Sequence, residues 1–243
     1  MLGYIEFHEN SRKARLEQER RLGGTFLVLD MGRSTQGFFA SRHAARAAKR
    51  MLEHGVRRAV FPLDFPYTAI FLRHGIIPVD PLPLRRILSA LFVRRKLDAL
   101  GLTGTQAVIA IAGESMSAEL EQTVRTLALS YRYVLLSVPS GGEAFAQQLR
   151  RQYGISLLLN PSPDQLEQAD ALVLFAPRSD LSLENRVLCT LYPGGEPRGC
   201  VPLRLDDKLL TGVEPNCPHD QLAAALYSMG ILPAEQLLGE ITC

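Results

Sequence analysis

Four short stretches carry the side chains best suited to hold a ligand: Gly113-Glu114-Ser115-Met116-Ser117, Ser140-Gly141-Gly142, Asn160-Pro161-Ser162-Pro163-Asp164 and Pro177-Arg178-Ser179-Asp180. Each comes at the end of an apolar run. Gly113, Ser115 and Ser117 precede a helical pattern, where free backbone N–H groups and hydroxyls can hold a phosphate or a carboxylate. The competing reading is local: Ser115 or Ser117 caps that helix and Glu114 complements its dipole. Ser140 and Gly141 divide the same way, because glycine at a helix start permits either a tight turn or a close ligand. Two prolines fix the loop after Asn160, and Ser162 or Asp164 can cap the next helix. Arg178 can meet an anion or form an exposed salt bridge.

No catalytic set assembles beside them. The histidines are His8, His43, His54, His74 and His219, and none stands in a catalytic motif. His54 and His74 each precede a glycine near an expected helix end, where a partly charged imidazole suits the dipole. There is no G-x-S-x-G, no phosphate-binding G-x-x-x-x-G-K and no H-E-x-x-H. The cysteines, Cys189, Cys200, Cys217 and Cys243, form no C-x-x-C pair, and Cys217-Pro218-His219 falls short of the four ligands a structural zinc requires. They read as reduced thiols packed as small hydrophobes. Neither a nucleophile, a general base nor a metal site is assigned.

A common framework positions the four stretches. Strand-like runs at 106–112, 132–138, 155–159 and 171–176 alternate with connectors at 113–131, 139–154 and 160–170. Short, nearly continuous apolar runs suit a parallel sheet buried on both faces. Parallel neighbours need crossovers of about a dozen residues, which the first two connectors supply easily and the third barely. Leu120, Val124 and Leu127, then Phe145 and Leu149, recur at helical spacing within the first two. Strand twist makes such crossovers right-handed. Ligands of these sheets bind at the carboxyl ends of the strands, where all four stretches fall.

Over residues 105–177 this rhythm resembles the Rossmann-like, doubly wound nucleotide-binding superfamily, as a fold rather than as a named family. The resemblance implies a nucleotide, NAD or NADP among the candidates, held by Gly113, Ser115, Ser117, Ser140, Gly141, Asn160 and Arg178, with Asn160 placed for a sugar or ring. The chain departs from the G-x-G-x-x-G fingerprint: Gly113 matches, Ser115 stands at the second glycine and Ala118 at the third. Glu114 puts a carboxylate where phosphate charge belongs, and the ribose-binding acid is missing from 137–142. Earlier in the chain, Asp30 and Gly32 look like part of the D-x-G-x-T phosphate loop of actin-like ATPases. Residues 36–40 could supply the strand that comes after such a loop, but the sequence holds no second copy.

The remaining elements are expected as a helix at 11–22 stopped by Gly23-Gly24, a strand at 25–30, a helix at 41–55 capped by Ser41, a strand at 56–61, a short helix at 67–74 and a strand at 76–79. A long helix at 84–100 lies between Pro83 and Gly101. Ile87, Leu88, Leu91, Phe92 and Leu100 form its apolar face, with Arg85, Arg86, Arg94, Arg95 and Lys96 solvated. Beyond Pro177, 186–192 and 200–205 suit an antiparallel hairpin, followed by helices at 220–229 and 233–241. The expected fold class is α/β: a Rossmann-like parallel sheet with flanking helices, preceded by a smaller α/β half and followed by a β-hairpin and two short helices. The halves divide at 102/103, or run on as one domain.

Charge is nearly balanced, 27 basic against 25 acidic residues, which gives no general attraction to nucleic acid or an acidic membrane. No apolar run approaches the roughly 20 residues of a membrane span. Residues 1–10 carry acids and no apolar centre, unlike a secretory signal. The expectation is a soluble cytoplasmic protein that binds a small anionic or nucleotide-like molecule. Its enzymatic version is an NAD(P)-dependent oxidoreductase with a non-standard loop. Its non-catalytic version is an interaction protein with a degenerate nucleotide site, a homodimer through the hairpin and terminal helices. Nucleic-acid binding ranks third, resting on basic helix faces alone.

Overall fold

Parallel pairing dominates both sheets of the computed structural model, which describes residues 1–8, 14–32, 39–211 and 213–238. The chain divides into one unit of Met1–Pro81 with Leu203–Leu237 and another of Leu82–Pro202 with Leu238.

The first unit begins with β1 (Leu2–His8), β2 (Arg15–Arg21), β3 (Gly24–Gly32), α1 (Ala40–Glu53), β4 (Arg58–Val60), α2 (Thr68–Arg73) and β5 (Ile77–Pro78). Its sheet runs β2-β3-β1-β4-β5, with β2 antiparallel to β3 and every other pair parallel. Residues 15–21 are therefore strand and not the expected helix, while 11–13 lie outside the described residues. The helix-forming composition is overruled by a two-residue turn, Leu22 (φ 52°) and Gly23 (φ 84°), that folds β2 onto β3. Positive φ at both turn residues gives the twist that two-residue hairpins favour. The charges of β2 then guard an open sheet edge.

Residues 2–8, expected to form no element, supply β1 near the middle of this sheet. Ile5, Phe7, Leu27, Leu29 and Met31 pack beneath Ala44, Ala47, Ala48 and Met51 of α1. Ser41 sits inside α1 and is not its cap; Phe39 holds the N-cap position with no side-chain hydrogen bond. Ala40 likewise opens this helix instead of ending a strand, and 36–38 lie outside the described residues.

The second unit comprises α3 (Leu82–Ala99), β6 (Val108–Ala112), α4 (Ala118–Ala128), β7 (Tyr133–Ser137), α5 (Gly142–Tyr153), β8 (Leu158–Leu159), α6 (Pro163–Glu167), β9 (Ala171–Leu174) and β10 (Val187–Thr190). All neighbours are parallel, in the order β10-β9-β6-β7-β8. Read from β8, that is third-second-first-fourth-fifth in chain order, the Rossmann order. The second unit is a Rossmann-like α/β fold. Its first strand, β6, lies at the centre with Ile109, Ala110 and Ile111 at 0% exposure.

Two expectations about this unit change. The 186–192 run is no hairpin arm: Val187–Thr190 is buried throughout and joins the sheet as a fifth parallel strand. Pro197–Gly199 instead makes one short 3-10 turn. Helix α3 packs on α4, β9 and β10, so it belongs with the second sheet. Its buried face uses Leu84, Leu88, Phe92, Val93 and Leu97, whereas Ile87 and Leu100 are exposed.

The chain then returns to the first unit as α7 (Asp207–Leu210), α8 (His219–Ser228) and a 3-10 turn at Ala234–Leu237, where a longer helix was expected; 239–241 lie outside the described residues. Helix α8 packs on β4. Among the described residues no helix is long and apolar enough to cross a membrane.

Gly3 shows how tightly α1 seats on its sheet. A Cβ there would lie 2.5 Å from Met51 Cε and 2.9 Å from both Ala59 Cβ and Val56 Cγ1. Gly3→Ala should therefore cost about 1–3 kcal/mol by overpacking. Urea unfolding measures the loss; unchanged stability would mean that the helix can back away freely.

Candidate functional site

The carboxyl ends of β6, β7, β8 and β9 bring the seven sequence candidates to one edge of the second sheet. Gly113 directly succeeds β6 and donates its N–H to Ser137 O at 3.1 Å, tying the ends of β6 and β7 together. A Cβ on Gly113 would lie 2.6 Å from Leu120 Cδ1, so glycine here serves close helix-to-strand packing. Gly141 is the N-cap of α5 in the left-handed region (φ 83°), a conformation that favours glycine. Its Cα faces Met116, since a Cβ would come within 3.0 Å of Met116 Cγ. The first and second loops thus touch.

Ser140, Gly141 and Asn160 line one recess of about 260 Å³, together with Val138, Glu143 and Leu159. Asn160 also holds positive φ (50°), which asparagine tolerates better than most residues, and its N–H bonds to Leu136 O at 2.9 Å. Ser162 and Gln165 close the start of α6 with a reciprocal capping box. Ser115 is exposed at the head of the first loop.

Ser117 acts as a helix cap. Its oxygen accepts from Leu120 N at 3.2 Å, and its hydroxyl also bonds the Glu119 carboxylate. Glu119 is held below the usual carboxylate range by its own backbone N–H first and by Ser117 second. The anion-favouring start of α4 is thus occupied by the helix's own acid.

Arg178, beyond β9, reaches over the end of β6 to β7: its Nη1 donates to Ser137 Oγ at 3.3 Å. Its Nε and Nη2 form a fork on Asp180, both at 2.7 Å. That hydrogen-bonded arginine pulls the Asp180 carboxyl down to about 2. Arg86 was expected on a solvated face, yet Nε donates to Leu191 O at 3.1 Å and the guanidinium lies 5.8 Å from the Phe175 ring. It also acts electrostatically on Glu119, at the same edge. Only its position early in the helix hinted at this, because nothing local marks one arginine of a basic helix as inward.

The first unit gathers charge as well. Glu6 is buried and paired with Arg21, which also forks onto Glu19. Asp30, the acid of the D-x-G-x-T likeness, lies opposite Glu6 in parallel register, with a buried Oδ1 that has no hydrogen-bond partner. Tyr4 and Cys217 share a hydrogen bond between their side chains. Burial pushes the Cys189 and Cys217 thiols up, which suits packed sulfur better than nucleophiles. His54 and His74 are indeed helix C-caps. Among the described residues no three His, Cys, Asp or Glu side chains converge as metal ligands would.

No family model matches the chain, and no curated protein does. Among solved structures it is similar to a dipicolinate synthase subunit from Bacillus halodurans (14% identity, 73% of this chain and 67% of that one, TM-score 0.39). It is also similar to L-tryptophan dehydrogenase from Nostoc punctiforme (10% identity, 86% of this chain, TM-score 0.34) and spans 62% of that protein's length. A mitochondrial ornithine carbamoyltransferase from Coccidioides immitis gives 14% identity over 97% of this chain and 84% of that one, TM-score 0.36. Likeness of this degree adds nothing to what the strand order already says of the fold.

Two measurements check the edge as described. Ser117→Ala should destabilise the protein by about 1 kcal/mol, the usual value of a helix cap, in urea unfolding. The Asp180 carboxyl should titrate at about 2 by NMR and return toward 3.8 in Arg178→Gln. Because its folded value is depressed, the small stabilisation from this exposed pair is present above about pH 4 and fades as pH falls toward 2. An Asp180 that titrates normally would mean that the fork does not persist in solution.

Proposed function

We propose that the second unit binds a small anionic or nucleotide-like ligand at the carboxyl edge of its sheet. One observation carries this reading. Loops from four neighbouring strands share one edge that spans the point where the strand order reverses, between β6 and β9, and the loops after β7 and β8 enclose a recess along it. Open α/β sheets receive ligands at such points because the diverging connections leave a crevice. Exposed Ser140 and Asn160 offer hydrogen bonds, left-handed Gly141 keeps the wall low, and Arg178 supplies positive charge.

A second reading, a non-catalytic interaction protein, draws support from the start of α4. Ser117 and Glu119 already fill the position where a dinucleotide's pyrophosphate would sit, and Glu114 adds another acid beside it. An NAD(P)-dependent oxidoreductase would have to displace this arrangement.

A thermal-shift screen against NAD, NADP, ATP, S-adenosylmethionine and common phosphorylated metabolites separates these readings. A ligand that binds only the folded state should raise Tm saturably, by the equivalent of about 2.7 kcal/mol at a hundred times its Kd. Ser140→Glu, an exposed change within the recess, should abolish that rise and leave the Tm of the protein alone unchanged. A flat panel would favour the interaction role.

A further inference from the structure

Resting on the reading above, we infer that Arg178 is the residue that reads the ligand's anionic group, and that Asp180 is a built-in competitor for it. The start of α4, where a Rossmann-like fold normally offers N–H groups to phosphate, is poorly suited to the task here. The Leu120 N–H is bound by Ser117, and the Glu119 carboxylate bonds its own N–H and the Ser117 hydroxyl. Glu114, Glu119 and Glu121 also surround that terminus with negative charge. A phosphate arriving there would have to break three bonds and face three acids, with Arg86 as the one arginine among the described residues acting on Glu119.

Arg178 offers the opposite arrangement. It lies just beyond β9, and its bond to Ser137 Oγ carries the guanidinium across the end of β6, over the strand-order reversal. An anion on Arg178 would therefore sit at that reversal, beside the end of β7. The fork of Nε and Nη2 is the geometry with which arginine grips a carboxylate or phosphate. Asp180, two residues away on an exposed loop, fills it.

An exposed pair of this kind is worth little, so a ligand carrying a carboxylate or phosphate can replace it. Asp180 then swings to solvent, already half-exposed at 47%. The device raises the affinity threshold for anions without closing the site. One fork matches one carboxylate or one phosphate group, so the ligand class is a carboxylate or a phosphate monoester.

Calorimetric titration of inorganic phosphate at low ionic strength tests the inference, using the full chain and three variants. Asp180→Asn should tighten phosphate binding by about two- to fivefold, the factor matching an exposed ion pair. Arg178→Gln should abolish it, with Arg178→Lys recovering only part. Ser117→Ala should leave it unchanged. Equal affinity in Asp180→Asn and wild type, or binding that survives Arg178→Gln, would overturn the inference. Loss of binding in Ser117→Ala alone would move the anion to α4 and overturn it too, while leaving the ligand-binding edge intact. No binding by any protein also overturns it, whereas the edge itself stands or falls on the metabolite screen and Ser140→Glu.

Discussion

Strand β6 must satisfy its backbone on both sides within the sheet and bury both faces at once. With parallel neighbours β7 and β9 it can do so only if its side chains are apolar, as Val108-Ile109-Ala110-Ile111-Ala112 are. Every other feature of the second unit stems from that requirement. Parallel neighbours cannot be joined by tight turns, so the chain crosses over through α4, α5 and α6. The crossovers put the strand ends and helix starts along one edge. Because the series first runs toward β8 and then jumps back to β9, the connections part above β6 and leave a crevice.

That edge has been brought close to electrical neutrality by local means. A helix start and an arginine would each attract an anion, and each is matched by an acid two residues from its principal group: Glu119 for Ser117, Asp180 for Arg178. The two pairs differ in consequence. The Glu119 arrangement also caps a helix, so disturbing it loosens structure. The Asp180 fork caps nothing and lies in solvent, so it can open at small cost. Arg86 adds a positive charge near Glu119 from a helix that precedes the sheet in sequence.

Much of this edge was legible before any coordinates, because glycine, serine and asparagine at the ends of apolar runs have few local alternatives. Ser117 as a cap, Gly141 in a turn and the salt bridge of Arg178 were all among the readings the residues allowed. The convergence of four loops came from the parallel pattern alone. Contacts distant in sequence were not legible. The Arg178 bond to Ser137 spans 41 residues and that of Arg86 to Leu191 spans 105. Residues 15–21 misled for a related reason: their composition favours helix, and only pairing with β3 makes them strand. The 186–192 run looked like a hairpin arm because the two glycines and two prolines after it signal a turn. The sheet instead accepted a fully buried strand at its parallel edge.

Amide chemical-shift mapping of the labelled protein, titrated with a compound that raises its Tm, tests the central claim most directly. The account predicts saturable shifts at Gly113, Ser137–Gly142, Asn160 and Arg178, with little change elsewhere. Shifts confined to the first unit around Glu6, Arg21 and Asp30 would contradict it and move the functional site to the other sheet.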